Sequence, residues 1–414
     1  NIAAIGSGGM GGGNINACST ENIVALCDVD DRHAAGTFKK YPNAKTYRDF
    51  RIMLDNEGKN IDAVIVATPD HTHGVTAMAA LKRGKHVYCQ KPLAHSIYEV
   101  RKLTEAARAA KVQTQMGNQG HSSDEIRMLC EWIADGAIGP VREVHTWSDR
   151  PVGGDPWSDF PIMARPKETP PVPATLDWDL WLGPAPFRPY HRIYCPTTWR
   201  GWWDFGTGAL GDMGCHIIDP AFWALKLGHL TRVEATTTHY QPEVASETYP
   251  RACIVRYEFP ARGEMPPVKL TWYDGRLMPP RPEDLDRGRR LEGNGAIYLG
   301  DKGTIMHGSH GAGGLRIVPE VKMKAYERPE KTLPRVNRGA SGHEQDWVRA
   351  CKDGKPASST FEYGGPLTEM VLLGVLAMRL KDTVLEWDPV NLKVTNNDEA
   401  DKYIRPAFRE GWTL

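Results

Sequence analysis

Short apolar runs recur along the first part of the chain, at residues 1–6, 23–29, 63–68, 86–90 and 112–117, each as long as a buried parallel strand. Between them, residues 75–83 and 97–110 repeat apolar side chains at three and four positions and end near Gly or Lys, which predicts helices. Strand and helix alternating in this way predict a doubly wound parallel sheet. Past residue 122 the texture changes. A helical period over 124–135 leads through Gly139-Pro140 into a strand-like 141–147. Residues 150–196 then lack periodicity but are rich in Pro, Trp and Tyr, which predicts an ordered loop over a binding face. Segments 232–239, 252–259, 268–273, 295–300 and 303–307 have strand length, β-branched or aromatic content and turn residues between them, while 344–352 and 367–381 are helical in period. The expected fold is therefore α/β over residues 1–121, joined to an α+β domain over 122–414 with a large, mostly antiparallel open sheet. The C-terminal segment of the second domain is free to pack back on the first.

A length of 414 residues suits two cores better than one. The charge balance, 51 Lys+Arg against 51 Asp+Glu, supplies no long-range field for nucleic acid or an anionic membrane, so neither is expected as a partner. No apolar run approaches the ~20 residues of a membrane-spanning helix. The eight cysteines are scattered without a CxxC pair, so they read as mostly buried thiols and no metal site is expected. The chain opens inside an apolar strand, so a leader is expected to be missing and the compartment, bacterial cytoplasm or periplasm, stays open.

Gly6-Ser7-Gly8-Gly9-Met10-Gly11 matches GxGxxG directly after the first apolar run and ahead of a helix-compatible segment, the context that a dinucleotide-binding Rossmann turn requires. Gly6 permits the tight turn, Gly8 admits backbone to a pyrophosphate, and Gly11 permits close helix packing. Asp28 ends the second run at the position of an acid that binds the adenosine ribose, which favours NAD over NADP because a carboxylate repels a 2′-phosphate.

With the fingerprint, three further motifs resemble the Gfo/Idh/MocA family of glucose-fructose oxidoreductase and inositol dehydrogenase type. They are Ala67-Thr68-Pro69-Asp70-His71-Thr72-His73, Gln90-Lys91-Pro92 and the stretch from Gly211-Asp212 to His216-Ile217-Ile218-Asp219. The resemblance implies that Thr68, Pro69 and His73 lie along the nicotinamide side of the cofactor, with Gln90 and Asn118 among the cofactor contacts. It also implies that Asp212 and His216 bind substrate and handle its hydroxyl proton. His71 and His73 have a metal-like spacing, against which stands a loop histidine bonding backbone or ribose. Gln90 replaces the family's usual Glu; it still hydrogen-bonds but cannot share a proton or tune Lys91 by charge.

Lys91 would place an ammonium at the cleft to steady developing alkoxide character; the alternative is a surface lysine capping a helix. Asp212 and His216 sit four apart, on one face of a helix, with His216 as base and Asp212 orienting the imidazole or a neighbouring hydroxyl. A capping Asp and a satisfied core His are the bland alternative. Ten of the thirteen tryptophans fall between Trp132 and Trp272. Each is readable as core, but the cluster Trp199-Arg200-Gly201-Trp202-Trp203 is expected to face substrate, through Trp199, Arg200 and Trp203.

The leading expectation is NAD-dependent hydride transfer at a secondary hydroxyl of a sugar, glycoside or cyclitol. A second is redox-neutral glycoside hydrolysis through transient oxidation and elimination, and a third is a silent sensor that would not need Lys91, Asp212 and His216 together. A homo-oligomer is expected by analogy with such relatives.

Overall fold

A computed structural model describes residues 1–154, 159–239, 241–336, 339 and 341–414. The N-terminal half of the fold runs β1 (Ile2–Ile5), α1 (Gly9–Ala17), β2 (Ile23–Cys27), α2 (Asp31–Lys40), β3 (Lys45–Tyr47), α3 (Phe50–Glu57), β4 (Ala63–Val66), α4 (Asp70–Leu81), β5 (His86–Cys89), α5 (Ile97–Ala110) and β6 (Thr114–Met116). The six strands form one parallel sheet in the order β3-β2-β1-β4-β5-β6. The order reverses between β1 and β4, and the crevice beyond their C-terminal ends is where such sheets bind ligands.

Strand side chains alternate between two apolar layers. Ala3, Ile5, Val64 and Val66 point into the larger core, whereas Ile2, Ala4, Ile65 and Tyr88 point to the other face, where they meet Trp347 and Val348. Those two residues come from the far end of the chain, so the first sheet is covered on one side by a helix that its own segment does not supply.

The remaining elements are α6 (Asp124–Ala134), β7 (Val141–Trp147), α7 (Trp178–Leu182), α8 (Gly208–Ile217), α9 (Asp219–Ala224), β8 (Arg232–Thr237), α10 (Pro242–Ala245), β9 (Cys253–Phe259), β10 (Val268–Tyr273), β11 (Gly295–Gly300), β12 (Gly303–His307), β13 (Arg316–Val318), α11 (Glu320–Ala325), α12 (Gly342–Asp353), α13 (Phe361–Arg379), β14 (Leu385–Asp388), β15 (Lys393–Val394) and α14 (Asp401–Ile404). Their strands form a nine-stranded sheet, β13-β12-β11-β7-β10-β9-β8-β14-β15, antiparallel except where β7 pairs with β10.

The helix α4 begins at Asp70, five residues ahead of the periodic stretch, so His71 and His73 stand on its first turn rather than in a loop. Similarly, α13 starts at Phe361 and runs through Gly364-Gly365-Pro366. A Cβ on Gly364 would lie 2.9 Å from Met116, and one on Gly365 would lie 2.4 Å from the Thr104 hydroxyl, so these two glycines, just ahead of the predicted start at 367, are contact points between helix and first domain. The short strands β3, β13, β14 and β15 offer too few residues for alternation to register.

Candidate active site

A cleft of about 1300 Å³ lies along the C-terminal ends of β1, β2, β4 and β5. At one end, Gly6 has φ +83° and its absent Cβ would meet Ala67 O at 2.4 Å; a Cβ on Gly11 would lie 1.9 Å from Gly6 O. The turn therefore packs backbone on backbone. Helix α1 then starts at Gly9 with no side chain capping its first turn, which leaves donor N–H groups at the cleft, the usual cradle for phosphate.

Asp28 is buried beside this turn, where its Oδ2 accepts from Ser7 N (2.8 Å) and Gly8 N (3.1 Å) and its Oδ1 from Asp30 N (3.0 Å). Burial raises its pKa, and these bonds act against the shift. Gly8 has a second neighbour that sequence reading missed: His33 of α2 fills the space a Cβ would need, 2.1 Å from it. Gly9 and Met10 also line the cleft. These groups fit an adenosine diphosphate moiety, with backbone donors for phosphate and a carboxylate at the ribose position.

Residues 175–181 lie over this end. Asp31 N donates to Thr175 O and Asp177 N to Val29 O, which ties the segment to the end of β2. Leu176, Leu180 and Trp181 thereby become cleft walls, and α7 gives the segment one turn of regular structure that periodicity did not predict. Trp157, within the same loop, lies outside the described residues.

At the other end stands Lys91, directly after β5. Its Nζ donates to Asp212 Oδ1 (2.8 Å) and to Asp212 O (2.7 Å). Asp212 and His216 both lie on α8, whose ten residues are all buried. The Asp212 carboxylate is also bound by Arg150 at Oδ2 and by Arg200 Nε at Oδ1 (3.2 Å). Burial alone would raise the pKa of Asp212, but Lys91, Arg150 and Arg200 hold it well below the usual carboxylate range.

The expectation that Asp212 orients the His216 imidazole is corrected here, because three cations occupy both of its oxygens. His216 packs instead on His310, ring centroids 4.1 Å apart, and its buried Nδ1 has no hydrogen-bond partner. Burial, then His310 and the nearby cations, push its pKa well below the ordinary value, so the ring is neutral near pH 7.

The other predicted residues separate into those at the cleft and those turned away. Thr68, Pro69, Gln90, Trp199 and Arg200 line it. Gln90 Nε2 donates to Asn14 Oδ1 (2.9 Å), and Asn14 Nδ2 donates to Glu344 Oε1 (2.8 Å), a relay from the cleft to α12. His73 borders the cleft, but both its ring nitrogens face backbone carbonyls, Nδ1 at Pro92 O and Nε2 at Thr68 O, each 2.8 Å; burial lowers its pKa, and the neutral ring donates its one N–H to one of the two. It braces the two motif loops instead of offering a polar atom to a cofactor. His71 likewise bridges Phe205 O and Trp181 O.

Asn118 is turned away altogether. It is fully buried, donates to Asp219 Oδ2 (3.1 Å) and accepts from Ser359 Oγ (2.7 Å), so its amide is consumed within the domain junction. Trp203 also departs from expectation, because its indole donates to Ala245 O, packs at a tilt on Tyr249 with ring centroids 3.7 Å apart and borders a separate cavity. Trp202 is wholly buried. Arg150, in a turn, and His310, at the start of a short 3-10 helix, were missed by sequence reading because their local sequence carries no motif; only the fold brings them to α8. Among the described residues, no group of three or more His, Cys, Asp or Glu is placed to hold a metal ion.

Two family models match this chain. One, described as "Oxidoreductase family, NAD-binding Rossmann fold", covers residues 1–118, and another, "Oxidoreductase family, C-terminal alpha/beta domain", covers 152–258. Inositol 2-dehydrogenase of Rubrobacter xylanophilus is 30% identical over 143 residues, 33% of this chain and 40% of that protein. Levoglucosan dehydrogenase of Pseudarthrobacter phenanthrenivorans is 24% identical over 218 residues, 53% of this chain and 46% of that protein. The matched stretch thus spans less than half the length of these relatives. Among solved structures, a levoglucosan dehydrogenase in complex with NADH superposes with a TM-score of 0.61 at 18% identity, covering 93% of this chain and 98% of the other. An oxidoreductase domain protein from Kribbella flavida gives 0.60 at 22% identity with the same coverages. At these identities the likeness is one of fold.

Proposed function

Because the chain belongs to the Gfo/Idh/MocA family of oxidoreductases, we propose that it transfers hydride between NAD and a secondary hydroxyl of a sugar, glycoside or cyclitol. The observation that carries this reading is the pairing of Lys91, which lines the cleft, with Asp212 on the helix that also carries His216. NAD, when bound, supplies the hydride acceptor. The protein supplies orientation and the handling of the hydroxyl proton.

In this reading the neutral imidazole of His216, whose Nδ1 has no hydrogen-bond partner, takes that proton, and the Lys91 ammonium, steadied by Asp212, stabilises the oxygen left behind. Arg200 and Trp199 bound the space for the substrate ring. The names of relatives, inositol 2-dehydrogenases and a levoglucosan dehydrogenase, support a polyhydroxylated ring as substrate. The buried Asp28 supports NAD over NADP, and Arg48, which also lines the cleft, is already paired with Asp31. We further propose domains over residues 1–121 and 122–414, and association into a homo-oligomer through the outer face of the nine-stranded sheet, readable by light scattering on the purified chain. Among the described residues no helix is long and apolar enough to cross a membrane.

The deciding experiment presents free sugars and aryl glycosides with NAD and follows NADH absorbance and aglycone release together. Stoichiometric NADH without aglycone is the expected result. Aglycone release with little net NADH would replace this reading by redox-neutral glycoside cleavage, for which Gln90 in place of an acid beside Lys91 is the favouring feature.

A further inference from the structure

A second cavity, of about 990 Å³, lies on the far side of the first turn of α4 from the dinucleotide cleft. Its most unusual lining group is Arg379, on the last turn of α13. The guanidinium lies 3.9 Å from the ring centre of Trp203 and 5.2 Å from that of Tyr403, so aromatic rings cover its faces. Among the described residues no carboxylate or carbonyl accepts from its N–H edge. The nearby acids are already engaged: Asp204 is paired with Arg188, Glu247 with Arg165 and Arg188, and Glu99 Oε2 accepts from the Ser96 N–H and hydroxyl. Burial disfavours the charged guanidinium here, and the nearby Asp204 and Glu247, engaged elsewhere, offset it only in part.

A planar guanidinium with covered faces and an open edge is pre-organised for in-plane, two-point binding of an oxyanion. The remaining walls include Pro186, Leu372, Ala407 and Phe408, which suit an apolar or ring-shaped body. The Trp203 ring is already fixed by its hydrogen bond to Ala245 O and its ring contact with Tyr249, so it offers a rigid face without further ordering cost.

We propose that this cavity is a second ligand site, separate from the dinucleotide cleft, for a small ring-bearing carboxylate whose oxygens meet the edge of Arg379 and whose ring lies against Trp203. Trp203 and Asp204 line it a few residues ahead of α8, so an occupant touches the stretch that leads into the helix carrying Asp212 and His216.

Calorimetric titration of the full chain with benzoate, glucuronate and inorganic phosphate, with and without NAD, tests this. Saturable binding of at least one carboxylate, unaffected by NAD and accompanied by a change in tryptophan fluorescence, is expected. It should weaken about tenfold or more in Arg379→Met, through loss of the charged fork. Ala407→Trp fills the cavity mouth from an exposed position and should weaken binding equally, and it decides the matter if Arg379→Met does not fold. No saturable binding to the unaltered chain, or binding unchanged in the folded variants, overturns the site. Phosphate bound as tightly as either carboxylate overturns the requirement for a ring.

Discussion

Three cations around one buried carboxylate give the residues near α8 distinct tasks. With Asp212 held ionised by Lys91, Arg150 and Arg200, the Lys91 ammonium is fixed at the cleft rather than free to swing out. Replacing Lys91 by Ala should therefore lower turnover on the sugar selected by the substrate panel by about 100-fold or more, with NAD affinity changed far less. Steady-state kinetics and a separate NAD titration read the two effects. His216 yields a prediction in pH. Its pKa is pushed well below 6.5, so the base form persists as pH falls, and kcat/KM should lose its acid limb well below pH 6.5 and not at it. A limb centred near pH 6.5 would remove His216 as the base. Trp203 teaches the complementary lesson: an aromatic residue in a plausible substrate loop can serve another cavity, and nothing in the local sequence distinguishes it from Trp199.

At the scale of elements, the β1–α1 turn and the start of α5 are the most sharply constrained. Gly11→Ala would drive a Cβ into Gly6 O, a backbone atom that cannot rotate away, so both stability and NAD affinity should fall. Thermal unfolding with and without NAD measures both, and an unchanged Tm would show that the turn relaxes. Helix α5 opens with a capping box in which Ser96 and Glu99 exchange bonds, and burial raises Glu99 to about 7. Between the ordinary value near 4.5 and about 7 the folded chain keeps a proton that the unfolded chain has released, so stability falls as pH rises through that window. Glu99→Gln keeps an oxygen for the cap without the ionisation. Its stability relative to the unaltered chain should rise between pH 5 and pH 8, by on the order of 3 kcal/mol at most. Denaturant unfolding at the two pH values tests it, and a constant difference would count against a buried, ionising Glu99.

The whole molecule is knitted by its own C-terminal third. Helix α12 returns to the first sheet, where Trp347 is fully buried against residues of β1, β4 and β5, and α13 packs between α5 and α8. Trp347→Ala should accordingly cost about 3–5 kcal/mol. The loss would be read by denaturant unfolding of the full chain, and a cost under about 1 kcal/mol would mean that α12 is dispensable to the first core. The Gln90–Asn14–Glu344 relay makes the same connection in polar terms, since its last member is on α12 while its first lines the cleft.

Much of the fold and part of the site were legible in the chain because they rest on local rules. The alternation of apolar runs with helical periods reports sheet and helix directly, and the glycines of the first turn are required by contacts within a few residues of one another. Lys91 was legible because it ends a strand in a short motif, and Asp212 and His216 because four residues of spacing put them on one helical face. What the sequence could not assign was direction and partnership across large separations. That Arg150, 62 residues from Asp212, binds its carboxylate, that Asn118 is spent on Asp219 and Ser359, and that Arg379 lines a second cavity between Trp203 and Tyr403 are matters of which surfaces meet. Such meetings depend on packing of both sheets at once, and no window along the chain contains the information that decides them.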